Sequence, residues 1–186
     1  DGGDVFNLFR YITFRAGGAF FTALIFGFAF GRPLFNLLRV KQKKGQPIRA
    51  DGPATHFVKA GTPTMGGLLI LSALTVSTLL WARMDNAYVW IVLGVTLAFA
   101  VIGFADDYAK VTKQNVRGLS SRLRFVLGLA IAAAASAAVV MIQPQALAGA
   151  VAVPLFKNVL INLGWFFVPF GMIVIVGAAN AVNLTD

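Results

Sequence analysis

Long charge-free apolar stretches alternate along this chain with short connections rich in Lys and Arg. A membrane-spanning helix needs about 20 predominantly apolar residues. The pattern meets that requirement repeatedly and predicts five spans, at 16–38, 65–82, 88–105, 125–142 and 159–178. The first is interrupted late by Arg32-Pro33, and the second has its apolar body from Met65 onward. The charge-free run 125–156 contains Gln143-Pro144-Gln145, which ends the fourth span and leaves a short hairpin before the fifth. The predicted fold class is therefore all-α, a polytopic integral membrane helix bundle, with 1–186 forming a single membrane domain. Within the fourth span, Ala130, Ala134 and Ala138 recur every four residues, a spacing that predicts close helix packing rather than chemistry.

Composition sharpens this picture. Of 186 residues, 58% are hydrophobic and 12% charged, with a mean hydropathy of +0.78; soluble domains carry about 25% charged residues. A soluble globular protein is excluded. The chain has no cysteine and one histidine, so disulfides, thiolate metal sites and histidine clusters are excluded within it. Every acidic side chain is Asp, which leaves Asp, Lys, Arg and Asn to carry any chemistry. The opening from Asp1 to Arg15 is too polar for a signal peptide, there is no initiator Met, and Asp186 follows an apolar run directly. The chain reads as a piece of something longer.

The cations decide orientation, because short cytoplasmic loops retain Lys and Arg. Arg39, Lys41, Lys43, Lys44, Arg49 and Lys59 lie between the first two spans, and Lys110, Lys113, Arg117, Arg122 and Arg124 between the third and fourth. Arg10, Arg15, Arg83 and Lys157 lie on the opposite side, with Arg32 inside a span. This asymmetry puts the N-terminus outside and both basic loops in the cytoplasm, with the end at Asn183 to Asp186. Setting topology and touching anionic lipid would account for such loops without further function.

Three polar segments share the cytoplasmic side. Asp106 and Asp107 stand where the third span meets the surface. Two adjacent carboxylates repel each other and need a cation, a proton or hydration to coexist. On a continuing helix Lys110 is i+4 from one and i+3 from the other, so a local ion pair is the plain reading; a site for Mg2+ or a phosphate-bearing substrate is the functional one. Asn180, Asn183 and Asp186 are spaced by three at the end of the fifth span, and could project into one cavity if the helix continues; a C-terminal cap with solvated polar groups is the plain reading. Lys59 to Gly67 forms a bend into the second span, where Pro63 disfavours helix at Thr62 and Gly66-Gly67 permit close backbone approach. Lys59, Thr62 and Thr64 would suit a phosphate or nucleotide, and capping alone also explains the segment. His56, in the same loop, reads as solvated.

Together these segments resemble the phospho-N-acetylmuramoyl-pentapeptide-transferase family. The likeness rests on Thr62-Pro63-Thr64-Met65-Gly66-Gly67, on Phe104-Ala105-Asp106-Asp107-Tyr108-Ala109-Lys110, and on Asn180-Ala181-Val182-Asn183-Leu184-Thr185-Asp186, in the family's order. It covers nearly the whole chain and is weakest before Tyr11. The resemblance implies the N-terminal half of a ten-helix fold in the bacterial inner (cytoplasmic) membrane, usually a homodimer, with a cytoplasmic active site and a lipid groove. It implies transfer of phospho-N-acetylmuramoyl-pentapeptide from its uridine diphosphate carrier (UDP-MurNAc-pentapeptide) onto undecaprenyl phosphate, releasing UMP and requiring Mg2+. Asp106, Asp107 and Asp186 match the family's essential acids, any of which is a candidate for the metal. Lys59, Thr64, Lys110, Asn180 and Asn183 match polar positions lining the site. A further Asp and a His-rich loop belong to the other half, so these residues alone are not expected to turn over. Membrane lipid is an expected partner and nucleic acid is not.

Three rivals predict different residues. A related polyprenyl-phosphate N-acetylhexosamine-1-phosphate transferase shares the chemistry but matches the Lys110 and Thr-Pro-Thr-Met-Gly-Gly features less well. A transporter would place polar groups at mid-span, where this chain has almost none. A prenyltransferase with an Asp-rich diphosphate motif would want Asp where Lys110 stands.

Overall fold

The computed structural model describes residues 7–42, 65–113, 118–154, 156 and 159–185. Its helices are α1 (Ile12–Lys41), α2 (Gly67–Trp81), α3 (Ala87–Lys113), α4 (Ser121–Ile142) and α5 (Phe167–Thr185), with two short strands, β1 (Ala150–Ala152) and β2 (Leu160–Asn162), between the last two. Among the described residues four helices are long and apolar enough to cross a membrane, and α2 is a shorter apolar one. At 1.5 Å per residue its 15 residues reach only about 22 Å. The helical membrane class expected from the hydrophobic pattern is thus borne out, and the chain is a multi-pass membrane protein.

Several boundaries differ from expectation, each for a physical reason. Helix α1 runs through Arg32-Pro33 without a break. Pro33 removes one backbone bond, but leaving the helix inside lipid would strand several more polar groups. Helix α3 continues past the expected end at 105 to Lys113, carrying both acids and Lys110 on helix. The expected fifth span, 159–178, begins late. Residues Leu160–Asn162 instead pair antiparallel with Ala150–Ala152, in the register Val151 opposite Ile161. Gly149 and Gly164, at φ +74° and +50°, make the two bends beside this ladder, where a side chain would be strained. Asn162 Oδ1 accepts the Gly164 N–H at 2.8 Å, and α5 follows from Phe167 through Thr185.

The residues fall into two compact units, 1–85 with 103–119, and 86–102 with 120–186. In the first, α1 packs antiparallel on α2, because Gly18 lies against Trp81 at one end and Gly31 meets Leu69 at the other. A Cβ on Gly18 would come within 2.5 Å of the Trp81 ring, so that glycine is what lets the indole seat. Phe9 stacks on Trp81 with centroids 5.9 Å apart, and Phe14 meets both rings edge-on. Just beyond, Arg83 pairs with Asp85 at 2.7 Å on the surface. That hydrogen bond holds the Asp85 carboxyl below its usual range, and Arg15 adds a weaker attraction. Arg15, Arg83 and Asp85 therefore share one end of the unit. Arg32 and Asn36 line a hollow along α1 with Phe28 and Phe35, and Arg39 sits over the Phe35 ring.

In the second unit α4 packs on α5 through small residues, but not through the expected Ala130, Ala134 and Ala138 face. The buried positions are Gly128, Ala132, Ala135 and Ser136, while Ala130 and Ala134 are exposed. The helix carries small residues all round, so its own spacing does not choose a face. The choice is made by Gly171, whose missing side chain leaves room for Ser136, and by Phe99 and Val176 closing over Gly128.

Candidate functional site

The C-terminal end of α3 gathers three of the expected site residues. Because the helix continues through 106–113, one turn brings Lys110 back beside both acids. Its Nζ lies 2.6 Å from Asp106 Oδ2 and 3.5 Å from Asp107 Oδ1. Burial separates the two carboxylates: the Asp106 side chain keeps 7% of its surface, Asp107 30% and Lys110 19%. A surface i,i+4 pair contributes a few tenths of a kcal/mol, whereas stripping the cation from a buried carboxylate costs on the order of 3 kcal/mol. The plain ion-pair reading is therefore correct in geometry, and for Asp106 the pair is a buried one.

Asp106 has a second partner that the sequence pattern did not signal. The backbone N–H of Leu119, thirteen positions ahead, donates to Asp106 Oδ1 at 2.7 Å. A charge-assisted bond of this kind contributes about 1.5–3 kcal/mol. It closes the chain entering α4 onto the end of α3, and Gly118 packs directly against the Asp106 carboxylate. Helix α4 then starts at once: Ser120 caps it, its Oγ accepting the Leu123 N–H at 3.2 Å. The one hint in the sequence is a glycine two residues before a serine N-cap, too common a pair to stand out.

Other expected residues lie elsewhere. Asn180 is on α5 in the second unit, where its Nδ2 donates to the Val176 carbonyl one turn back at 2.8 Å. That satisfies an amide donor locally at the end of an apolar helix. Asn183 lies on the last turn of α5. Lys59, Thr64 and Asp186, with His56, lie outside the described residues. Of the bend into the second span, Met65 is described and has φ +73°, a left-handed conformation that costs on the order of 1 kcal/mol for a residue with a Cβ. The Met65 carbonyl accepts the Leu68 N–H at 3.0 Å, which turns the chain into α2.

The metal question can be put to the donor set. Among the described residues no three Asp, Glu, His or Cys side chains converge on a point. Mg2+ is commonly met by one or two carboxylates with the remainder from water and phosphate oxygens. Asp107, the more exposed acid, fits that role; Asp106 already meets Lys110 through one oxygen and the Leu119 N–H through the other.

Comparison with known proteins gives this geometry a setting. Residues 89–186 match the model of glycosyl transferase family 4, a stretch that includes both acids, Lys110 and α5. Residues 59–71 match phospho-N-acetylmuramoyl-pentapeptide-transferase signature 1, the segment containing Met65. The chain is 68% identical over 186 residues to a phospho-N-acetylmuramoyl-pentapeptide-transferase of Ruegeria pomeroyi. It is 66% identical over 187 residues to one of Dinoroseobacter shibae. In both the match takes in 100% of this chain and 52% of the relative, so the chain spans about half the length of the curated relatives it matches.

Proposed function

This chain belongs to glycosyl transferase family 4, and we propose that it forms part of an enzyme transferring phospho-N-acetylmuramoyl-pentapeptide from uridine diphosphate to undecaprenyl phosphate. The observation that carries the reading is the Asp106–Asp107–Lys110 cluster, held on helix at the end of an apolar span inside the family match. The signature at 59–71 favours the muramoyl-peptide substrate over the related N-acetylhexosamine nucleotides.

In this reading an oxygen of the lipid phosphate attacks the phosphorus that bears the sugar. The bond from that phosphorus to the bridging oxygen breaks, and UMP leaves. A phosphate monoester has a second pKa near roughly 6, so at neutral pH the attacking group is already largely ionised and needs little help from a base. Alignment and charge neutralisation are what remain for the protein to supply. Lys110 brings positive charge beside two carboxylates at the membrane surface. Asp107, the more exposed acid, would hold Mg2+, which would supply screening of the phosphate charges. Asp106 fixes the Lys110 ammonium. The active site faces the cytoplasm, with the N-terminus outside, in the orientation that the cation asymmetry supports. A homodimer is part of the same proposal.

The test is UMP release by the full-length protein in lipid nanodiscs, given UDP-MurNAc-pentapeptide, undecaprenyl phosphate and Mg2+. Release that needs both substrates is the expected result. Turnover with UDP-N-acetylglucosamine, and none with the muramoyl nucleotide, would overturn the substrate assignment.

A further inference from the structure

We infer that Gly118 is a positioning residue for the Asp106–Lys110 pair, because its missing side chain lets the chain entering α4 close onto the Asp106 carboxylate. The catalytic consequence rests on the transferase reading; the clasp itself rests on geometry alone.

Gly118 is not there for backbone freedom. Among the described residues the glycines with positive φ are Gly149 and Gly164. What Gly118 provides is space: a Cβ at this position would lie 2.7 Å from Asp106 Cγ and 2.9 Å from the Asp106 carbonyl oxygen. The carbonyl belongs to the body of α3 and cannot retreat without bending the helix. The carboxylate cannot swing aside without leaving the Leu119 N–H at 2.7 Å and Lys110 at 2.6 Å. Any side chain at 118 must therefore lift the backbone away and break the Leu119 bond. Asp106 would then turn under the pull of Lys110 alone among these two partners, and Lys110 would shift relative to Asp107, which it also meets at 3.5 Å. A displacement of this kind is small, yet misplacing a catalytic group by 1 Å can cost about 100-fold in rate.

The experiment uses the full-length protein in nanodiscs and compares Gly118→Ala with Gly103→Ala. Gly103 lies on the same helix with open space where its Cβ would go, and serves as the control for a generic Gly→Ala change. Hydrogen exchange at the Leu119 amide should rise roughly tenfold or more in Gly118→Ala and in Asp106→Ala, and no further in the double variant, since each breaks the same bond. For UMP release, kcat should fall roughly tenfold or more in Gly118→Ala while KM for the nucleotide stays within about twofold. Gly103→Ala should match the parent in both. Unchanged Leu119 exchange in Gly118→Ala, or multiplying effects in the double variant, would overturn the clasp. An opened clasp with normal kcat, or a change confined to KM, would overturn the positioning role. Should Gly118→Ala fail to fold, Asp106→Ala still decides, because the clasp requires faster Leu119 exchange there. A parent protein that releases no UMP would defeat the transferase reading and leave the exchange comparison intact.

Discussion

The indole Nε1–H of Trp81 donates to Thr22 Oγ1 across 2.9 Å, joining residues 59 positions apart in sequence, and the same ring lies flat against Gly18. The last residue of α2 is thereby seated on the first turns of α1. Polar bonds between membrane helices contribute only about 0.6 kcal/mol on average, while forcing extra atoms into a packed contact costs about 1–3 kcal/mol.

The two effects can be separated by mutation. Trp81→Phe, which drops the bond and keeps an aromatic ring, should lower the unfolding free energy of the full-length protein by roughly 0.5 kcal/mol. Gly18→Leu should lower it by about 2 kcal/mol. Denaturant titration in mixed micelles checks the order; a larger loss in Trp81→Phe would mean that the bond rather than the close approach holds α1 to α2.

Topology is checked with cysteines, since these 186 residues contain none. Lys113→Cys and Gln145→Cys lie at exposed positions on either side of α4. In intact cells an impermeant maleimide should reach Gln145→Cys from outside and Lys113→Cys only after the membrane is opened. Labelling of both from one side would contradict the orientation drawn from the basic loops.

Charge removal at the acids should cost far more in rate than in stability. Asp107→Asn and Asp186→Asn in the full-length protein should each lower UMP release by about 100-fold or more, because each withdraws an anion from a phosphate and metal site. The helical circular dichroism should not change. A solvated helix-end Asp, by contrast, is silent within about 0.5 kcal/mol, so near-normal turnover in either variant would assign that carboxylate a purely structural place.

Direct attack by the lipid phosphate leaves no phosphorylated protein. Lipid-stripped enzyme mixed with nucleotide carrying label in the transferred phosphate should show no burst of UMP and no labelled Asp after rapid quench, with nucleotide binding confirmed in the same preparation. Stoichiometric, chemically competent label on Asp106, Asp107 or Asp186 would establish the two-step route instead. Complete lipid removal matters, because retained undecaprenyl phosphate would itself give a burst.

The sequence by itself determined the helical membrane class, because twenty apolar residues without charge have few alternatives in water or lipid. It also determined that Asp106, Asp107 and Lys110 would meet, since the helical repeat brings i+3 and i+4 together once α3 continues. Both are local facts of composition and period. The tertiary structure decided what a period cannot encode. Ala130 and Ala134 share the small size of Ala132 and Ala135, and only the gap at Gly171 and the closure over Gly128 select which of them are buried. Residues 160–162 are as apolar as the helix that follows, and pairing with 150–152 draws them into a strand. The Asp106 carboxylate, read locally as the partner of Lys110, also receives the Leu119 N–H, which lies this close because Gly118 puts no side chain against the carboxylate. Contacts of that kind depend on where two distant backbones approach, and no spacing within either segment records it.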